Sequence, residues 1–232
     1  MLFRTQINLA FSNRFSYFIS MKPMFDLNVA ALQEFTPWPH SPAFKALHLV
    51  RSGDTVLDVG CAKGHMAREL AKKNCPVYGV EIDHEAAELA RQHCVQVVEG
   101  DADQMESLPF QNNFFDSILV LDVLEHMKRP DRFLSLLRQH LKPDTGQLIC
   151  SLPNVARIEF RLKLLLGDFT YEDGGALSKG HLRFFTRATG RQLLQEAGYD
   201  IRQTLYTGFA SMLPIFPNLT AFQFLFVCVR NS

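Results

Sequence analysis

Val56-Leu-Asp-Val-Gly-Cys-Ala-Lys-Gly64 reads as a buried strand that runs into a turn nearly stripped of side chains. Val56, Leu57 and Val59 make the apolar, β-branched run. Gly60, Ala62 and Gly64 then leave the turn almost bare, and Met66, Ala67, Leu70 and Ala71 follow at helical spacing. A turn without side-chain bulk at the carboxyl end of a strand lets a ligand lie directly on the backbone. A nucleotide-like cofactor is therefore the first expectation.

The next acidic strand end narrows it. Pro76-Val-Tyr-Gly-Val-Glu-Ile-Asp83 reads as a second strand, with Glu81 placed where a carboxylate meets a ribose diol. Dinucleotides and S-adenosylmethionine are both held by this device. A dinucleotide site calls for G-x-G-x-x-G and a helix N-terminus on the pyrophosphate. Here the small residues fall at the first, third and fifth places of Gly60-Cys61-Ala62-Lys63-Gly64. A cationic sulfonium without phosphate suits a turn lined by carbonyls and by acids such as Asp58, so the spacing favours the methyl donor.

Strands and helices alternate beyond this point, which is the pattern of a parallel sheet. Helices are expected over 83–93, with Ala86, Ala87, Leu89 and Ala90 toward the sheet, over 132–141, and over 187–197. Strands are expected at 95–98, 115–121, 147–151 and 222–229. The helix in 155–166 is expected to pack Ile158, Leu162, Leu165 and Leu166 on one side, with Arg157, Arg161 and Lys163 solvated elsewhere.

Four stretches taken together carry a family resemblance. They are Val56-Leu-Asp-Val-Gly-Cys-Ala-Lys-Gly64, Gly79-Val-Glu-Ile-Asp83, Val97-Val-Glu-Gly-Asp-Ala-Asp103 and Phe115-Asp-Ser-Ile-Leu-Val-Leu-Asp-Val-Leu-Glu-His126. In this order they resemble the successive motifs of the class I S-adenosylmethionine-dependent methyltransferases, with Ala62 standing at the family's middle glycine. Ser151-Leu-Pro-Asn-Val-Ala156, Arg161-Leu-Lys-Leu-Leu-Leu-Gly-Asp-Phe169 and His181-Leu-Arg-Phe-Phe-Thr186 resemble one branch of that superfamily. That branch holds the methyltransferase-like protein of methionine biosynthesis and methyltransferases of glycan assembly. Leu124-Glu-His126 is similar, more distantly, to ubiquinone-pathway O-methyltransferases.

The resemblance implies an α/β, Rossmann-like three-layer sandwich on a seven-stranded, mostly parallel sheet with an antiparallel last strand. It implies S-adenosyl-L-methionine as cofactor, bound by Asp58, Gly60, Cys61, Ala62, Gly64, Glu81, Ile82, Asp101, Ala102, Leu121 and Asp122. It also implies that a segment of about 153–186 covers the substrate. Because an alcohol acceptor needs its proton removed, His126 and His181 are the candidate catalytic residues. Glu125-His126 resembles the acid–histidine pair that helps to hold a divalent metal in some related quinone O-methyltransferases; two ligands alone are too few to define a centre, and no metal ligand is assigned. No N-P-P-Y-like motif follows the fourth strand, which disfavours planar-amine and base acceptors. A hydroxyl of a small molecule or a glycan is the expected acceptor. The alternative is a protein that binds S-adenosylmethionine as a regulator or partner with no acceptor of its own.

Composition agrees. A chain of 232 residues suits one α/β domain, and a net charge of +0 provides no broad field for nucleic acid. Five dispersed cysteines without a CxxC point to a reduced, cytoplasmic setting. No apolar run is long enough to span a bilayer. Residues 1–20 contain no acid and many phenylalanines. They are expected to be an N-terminal arm or upstream-start extension, with the methyltransferase domain over 21–232.

Overall fold

The computed structural model describes residues 40–208 and 215–231, so the expected arm at 1–20 lies outside the described residues. A seven-stranded sheet runs β3-β2-β1-β4-β5-β7-β6. Its strands are β1 (Val56–Val59), β2 (Val77–Glu81), β3 (Gln96–Glu99), β4 (Ser117–Leu121), β5 (Gln147–Pro153), β6 (Tyr199–Tyr206) and β7 (Gln223–Arg230). The first five pair in parallel, and β7 inserts antiparallel between β5 and β6. The expected α/β, Rossmann-like sheet with one antiparallel last strand is what the chain forms.

The central strands are apolar on both faces because helices cover both. Val56, Leu57 and Val59 of β1, Ile118 to Val120 of β4 and Leu148 to Cys150 of β5 are at most 1% exposed. Burying a large side chain of this kind contributes about 1.5–3 kcal/mol. The helices are α1 (Pro42–Leu49), α2 (His65–Ala71), α3 (His84–Ala90), α4 (Pro130–His140), α5 (Ile158–Leu165), α6 (Arg187–Glu196) and the single turn α7 (Pro217–Thr220). Their starts are written locally. Ser41 accepts from the Phe44 amide, Asp83 accepts from the Ala86 amide, and Thr186 and Thr189 form a reciprocal capping box. One cross-strand approach depends on a missing side chain. A Cβ at Gly79 would stand 2.5 Å from Cys61 Sγ, so glycine there admits the loop after β1 to the face of β2.

Two expectations fail in detail. Leu89 is 41% exposed while Ala87 and Ala90 of the same helix are fully buried, because α3 meets the sheet along a narrow alanine face. In α5 the expected packing stripe is largely bare: Leu165 and Leu166 are 81% and 79% exposed, and Phe160 alone is buried, against Ala176 and Leu177. The apolar period of this helix does not match the sheet, because α5 lies over the loop that follows it. Edge strand β6 is an addition, since its mostly polar residues gave no apolar run to read.

Candidate active site

The strand order reverses between β1 and β4, and the loops leaving the carboxyl ends of β1, β2, β3 and β4 enclose a cavity of about 730 Å³ there. Gly60, Glu81, Ile82, Asp101 and Ala102 line it, together with Val123 and His126 from the turn after β4 and Leu182 from the later cover segment. These lining residues come from segments spread over more than half the chain. That volume lies within the range of small-molecule pockets.

The loops are tied to one another through carboxylates. Glu81 is 8% exposed and its Oε2 accepts from the Ala62 amide at 2.8 Å, while Oε1 accepts from the amides of Ile82 and Asp83 at 2.9 Å. One side chain thus fixes the turn after β1 and the turn after β2. A carboxylate has about four acceptor directions, so roughly one remains for a ligand hydroxyl. Asp101 accepts from the Asp103 amide and from Gln104 Nε2. Asp103, next to it, is committed elsewhere: its two oxygens accept from the amides of Lys128 and Arg129, pinning the loop after β3 to the chain leading into α4.

The remaining predicted residues surround the cavity without lining it. Cys61 is buried against Ala87, Ala90 and Val97. Ala62 is exposed and takes the left-handed conformation, φ +46°, which explains in physical terms why glycine suits this place. Gly64, at φ +77°, caps α2 and lies 3.0 Å from the Ala90 Cα by its ideal Cβ position. Leu121 ends β4. Asp122 also has positive φ, and its Oδ1 accepts from Ser151 Oγ and Gln223 Nε2.

Asp58 is 6% exposed, and burial, followed by the neighbouring Glu81 carboxylate, raises its pKa to about 7. The native state therefore holds a proton that the unfolded chain releases near the ordinary carboxylate value. Stability falls as pH rises from that value through about 7. Asp58→Asn removes the effect. In urea melts at pH 8 the variant is expected to gain on the order of 4 kcal/mol over the parent, a gain that vanishes near pH 4. Equal differences at both pH values would refute the assignment.

His126 is the predicted residue at the cavity wall, and His181 stands beside it with ring centroids 4.8 Å apart. His126 Nδ1 donates to Gly180 O at 3.0 Å and His181 Nδ1 donates to Ala176 O at 3.1 Å. A carbonyl only accepts, so each neutral ring keeps its lone pair on Nε2. Glu125 was not among the expected site residues. It is 1% exposed, and its backbone carbonyl accepts from the amides of Leu182 and Arg183, which anchors the cover segment to the turn after β4. The sequence reading takes Glu125 as a possible metal ligand beside His126 and gives it no part in linking the cover segment, which only the fold shows.

Residues 27–204 match the model of a methyltransferase domain. The chain is 31% identical over 105 residues to the ubiquinone biosynthesis O-methyltransferase of Roseobacter denitrificans, covering 44% of this chain and 42% of that protein. It is 26% identical over 159 residues to the enzyme of the same name from Haemophilus ducreyi, covering 55% and 67%. The chain spans about half the length of the curated relatives it matches. Among solved structures, an S-adenosylmethionine-dependent methyltransferase from Aquifex aeolicus superposes with a TM-score of 0.59 at 16% identity, over 87% of this chain and 96% of that one. Magnesium protoporphyrin IX methyltransferase from Synechocystis PCC 6803, with S-adenosylhomocysteine bound, gives 0.56 at 19% identity, over 82% and 80%. The two superpositions concern the fold.

Proposed function

Because the chain belongs to the methyltransferase domain family, with S-adenosylmethionine as its methyl donor, we propose that it transfers a methyl group to a hydroxyl of a small molecule or glycan. The observation that carries the acceptor class is the imidazole of His126 at the cavity wall with that of His181 beside it, each giving its Nδ1–H to a backbone carbonyl and keeping its Nε2 lone pair. When bound, the donor supplies a methyl on a positively charged sulfur, already activated for displacement. Gly60, Glu81, Ile82, Asp101 and Ala102 would hold it. The bare backbone at Gly60 and the remaining acceptor direction of Glu81 fit a ribose-bearing ligand of this size.

The rest of the work falls to positioning and to the hydroxyl proton. Val123 and Leu182 give the cavity wall beside His126 an apolar surface, and His126, with His181 beside it, takes the proton that the hydroxyl gives up. The similarity over 105 residues to a ubiquinone biosynthesis O-methyltransferase supports oxygen as the acceptor atom. The test is a screen with methyl-labelled donor against phenols, sugar alcohols, carboxylates and amines, read by mass spectrometry. Label is expected on phenol or sugar oxygen, and His126→Ala is expected to slow transfer by about 100-fold or more, the scale of a lost proton-transfer group. Label found on amines alone would overturn the reading.

A further inference from the structure

We propose that Cys94 and Cys61 form a thiol modification site, where a small-molecule disulfide links the two residues and thereby weakens donor binding. The inference goes beyond methyl transfer. Only its effect on the donor rests on the turn after β1 being the donor site.

The two residues come from segments far apart in sequence. Cys61 follows Gly60 in the turn after β1, and Cys94 follows α3, its amide bonded to Ala90 O at 2.9 Å. They meet in one cluster: Cys61, Ala87, Ala90 and Val97 are buried together, and Cys94 packs against them. The turn and α3 are already in contact there, since the ideal Cβ position of Gly64 lies 3.0 Å from Ala90 Cα. Access separates the two thiols. Cys61 is 4% exposed, whereas Cys94 is the one cysteine of the five that is not buried. The other three are committed elsewhere. Cys75 gives its thiol to Arg51 O at 3.2 Å, and Cys150 and Cys228 lie fully buried in β5 and β7.

A hydrogen bond with the Cys94 thiol, and then burial, hold the Cys61 thiol well above its usual range. An external oxidant therefore meets Cys94 first. The Cys94 thiolate attacks one sulfur of a disulfide RS–SR, forming a mixed disulfide and expelling RS⁻. Cys61 then attacks the Cys94 sulfur and expels the second RS⁻. The oxidant's S–S bond is reduced, one protein S–S bond forms, and the two thiol protons end on two molecules of RSH.

The new bond requires the sulfurs to close to about 2 Å. Cys61 Sγ lies over Gly79, which presents no Cβ to hold it in place. Its movement passes to both neighbours. Gly60 lines the cavity, and the Ala62 amide is held by Glu81 at 2.8 Å. The bond thus displaces the turn on which the donor lies. A linkage formed under such strain is readily reduced, as a regulatory disulfide must be.

The experiment treats the reduced full chain with oxidised glutathione, blocks remaining thiols and maps the peptides by mass spectrometry. Calorimetric titration with S-adenosylmethionine then compares the reduced, oxidised and dithiothreitol-treated chains. One link, between Cys61 and Cys94, is expected. Donor affinity should fall at least about tenfold on oxidation and return on reduction. Cys94→Ser is expected to bind the donor like the reduced parent and to keep that affinity in the oxidant. Four results would overturn the proposal: no Cys61–Cys94 link, glutathione remaining on Cys94 as the end product, a link that leaves affinity unchanged, or equal loss in Cys94→Ser. The peptide map needs no donor, so a reduced chain that fails to bind S-adenosylmethionine would count against the donor site and leave the link to be decided by the map.

Discussion

Glu81→Gln will weaken binding of S-adenosylmethionine by about 100-fold or more and lower the melting temperature of the free protein. The Glu81 carboxylate accepts three backbone amide bonds, from Ala62, Ile82 and Asp83. Hydrogen bonds to a charged group contribute about 1.5–3 kcal/mol each. Glutamine has nearly the same shape but replaces one oxygen with an amino group, which places N–H donors against N–H donors. At least one of the three amides loses its acceptor, and the turn after β1 loosens. A loss of about 3 kcal/mol corresponds to the stated 100-fold. Calorimetric titration and thermal melts read the two effects separately. A variant that melts like the parent and binds with unchanged affinity would show that neither the loop nor the ligand uses this carboxylate.

Gly60→Ala is expected to cost about 1–2 kcal/mol of stability and at least about tenfold in donor affinity. Gly60 has φ +71°, and a Cβ there would stand 2.9 Å from Val123 Cγ2. Both residues line the cavity, so relief of that contact shifts its wall. Gly53 provides the control. It also has positive φ, +82°, but a Cβ there meets nothing within 4 Å, and it lies away from the cavity. Gly53→Ala should lose similar stability and keep full affinity. Equal affinity losses in both variants would mean that backbone strain, rather than the cavity wall, is responsible.

The comparison of Gly60 with Glu125 shows why some of this site was legible in the sequence and some was not. Gly60, Glu81 and Asp101 were legible because strand runs and small-residue turns are local patterns, and a parallel sheet brings successive carboxyl strand ends to one edge. Strands β1, β4, β5 and β7 announced themselves in the same way, through runs buried on both faces. Edge strand β6 did not: Asp200, Arg202 and Gln203 break any apolar run, and pairing with β7 supplies what propensity lacks. The failure at α5 is of the opposite kind. Ile158, Leu162, Leu165 and Leu166 have helical spacing, but nothing among the described residues covers most of that face. Periodicity reports an amphipathic helix and not what it meets. Glu125 is read in the sequence only as a neighbour of His126; its burial and the bonds of its carbonyl to the Leu182 and Arg183 amides, more than fifty residues away, are visible only in three dimensions.

The most direct test of the central claim is calorimetric titration of the full chain with S-adenosylmethionine and then with S-adenosylhomocysteine. The account predicts saturable binding of one molecule per chain, with the second ligand competing for the same site. Absence of saturable binding by either ligand, or binding of NADH at the same site with equal affinity, would contradict it.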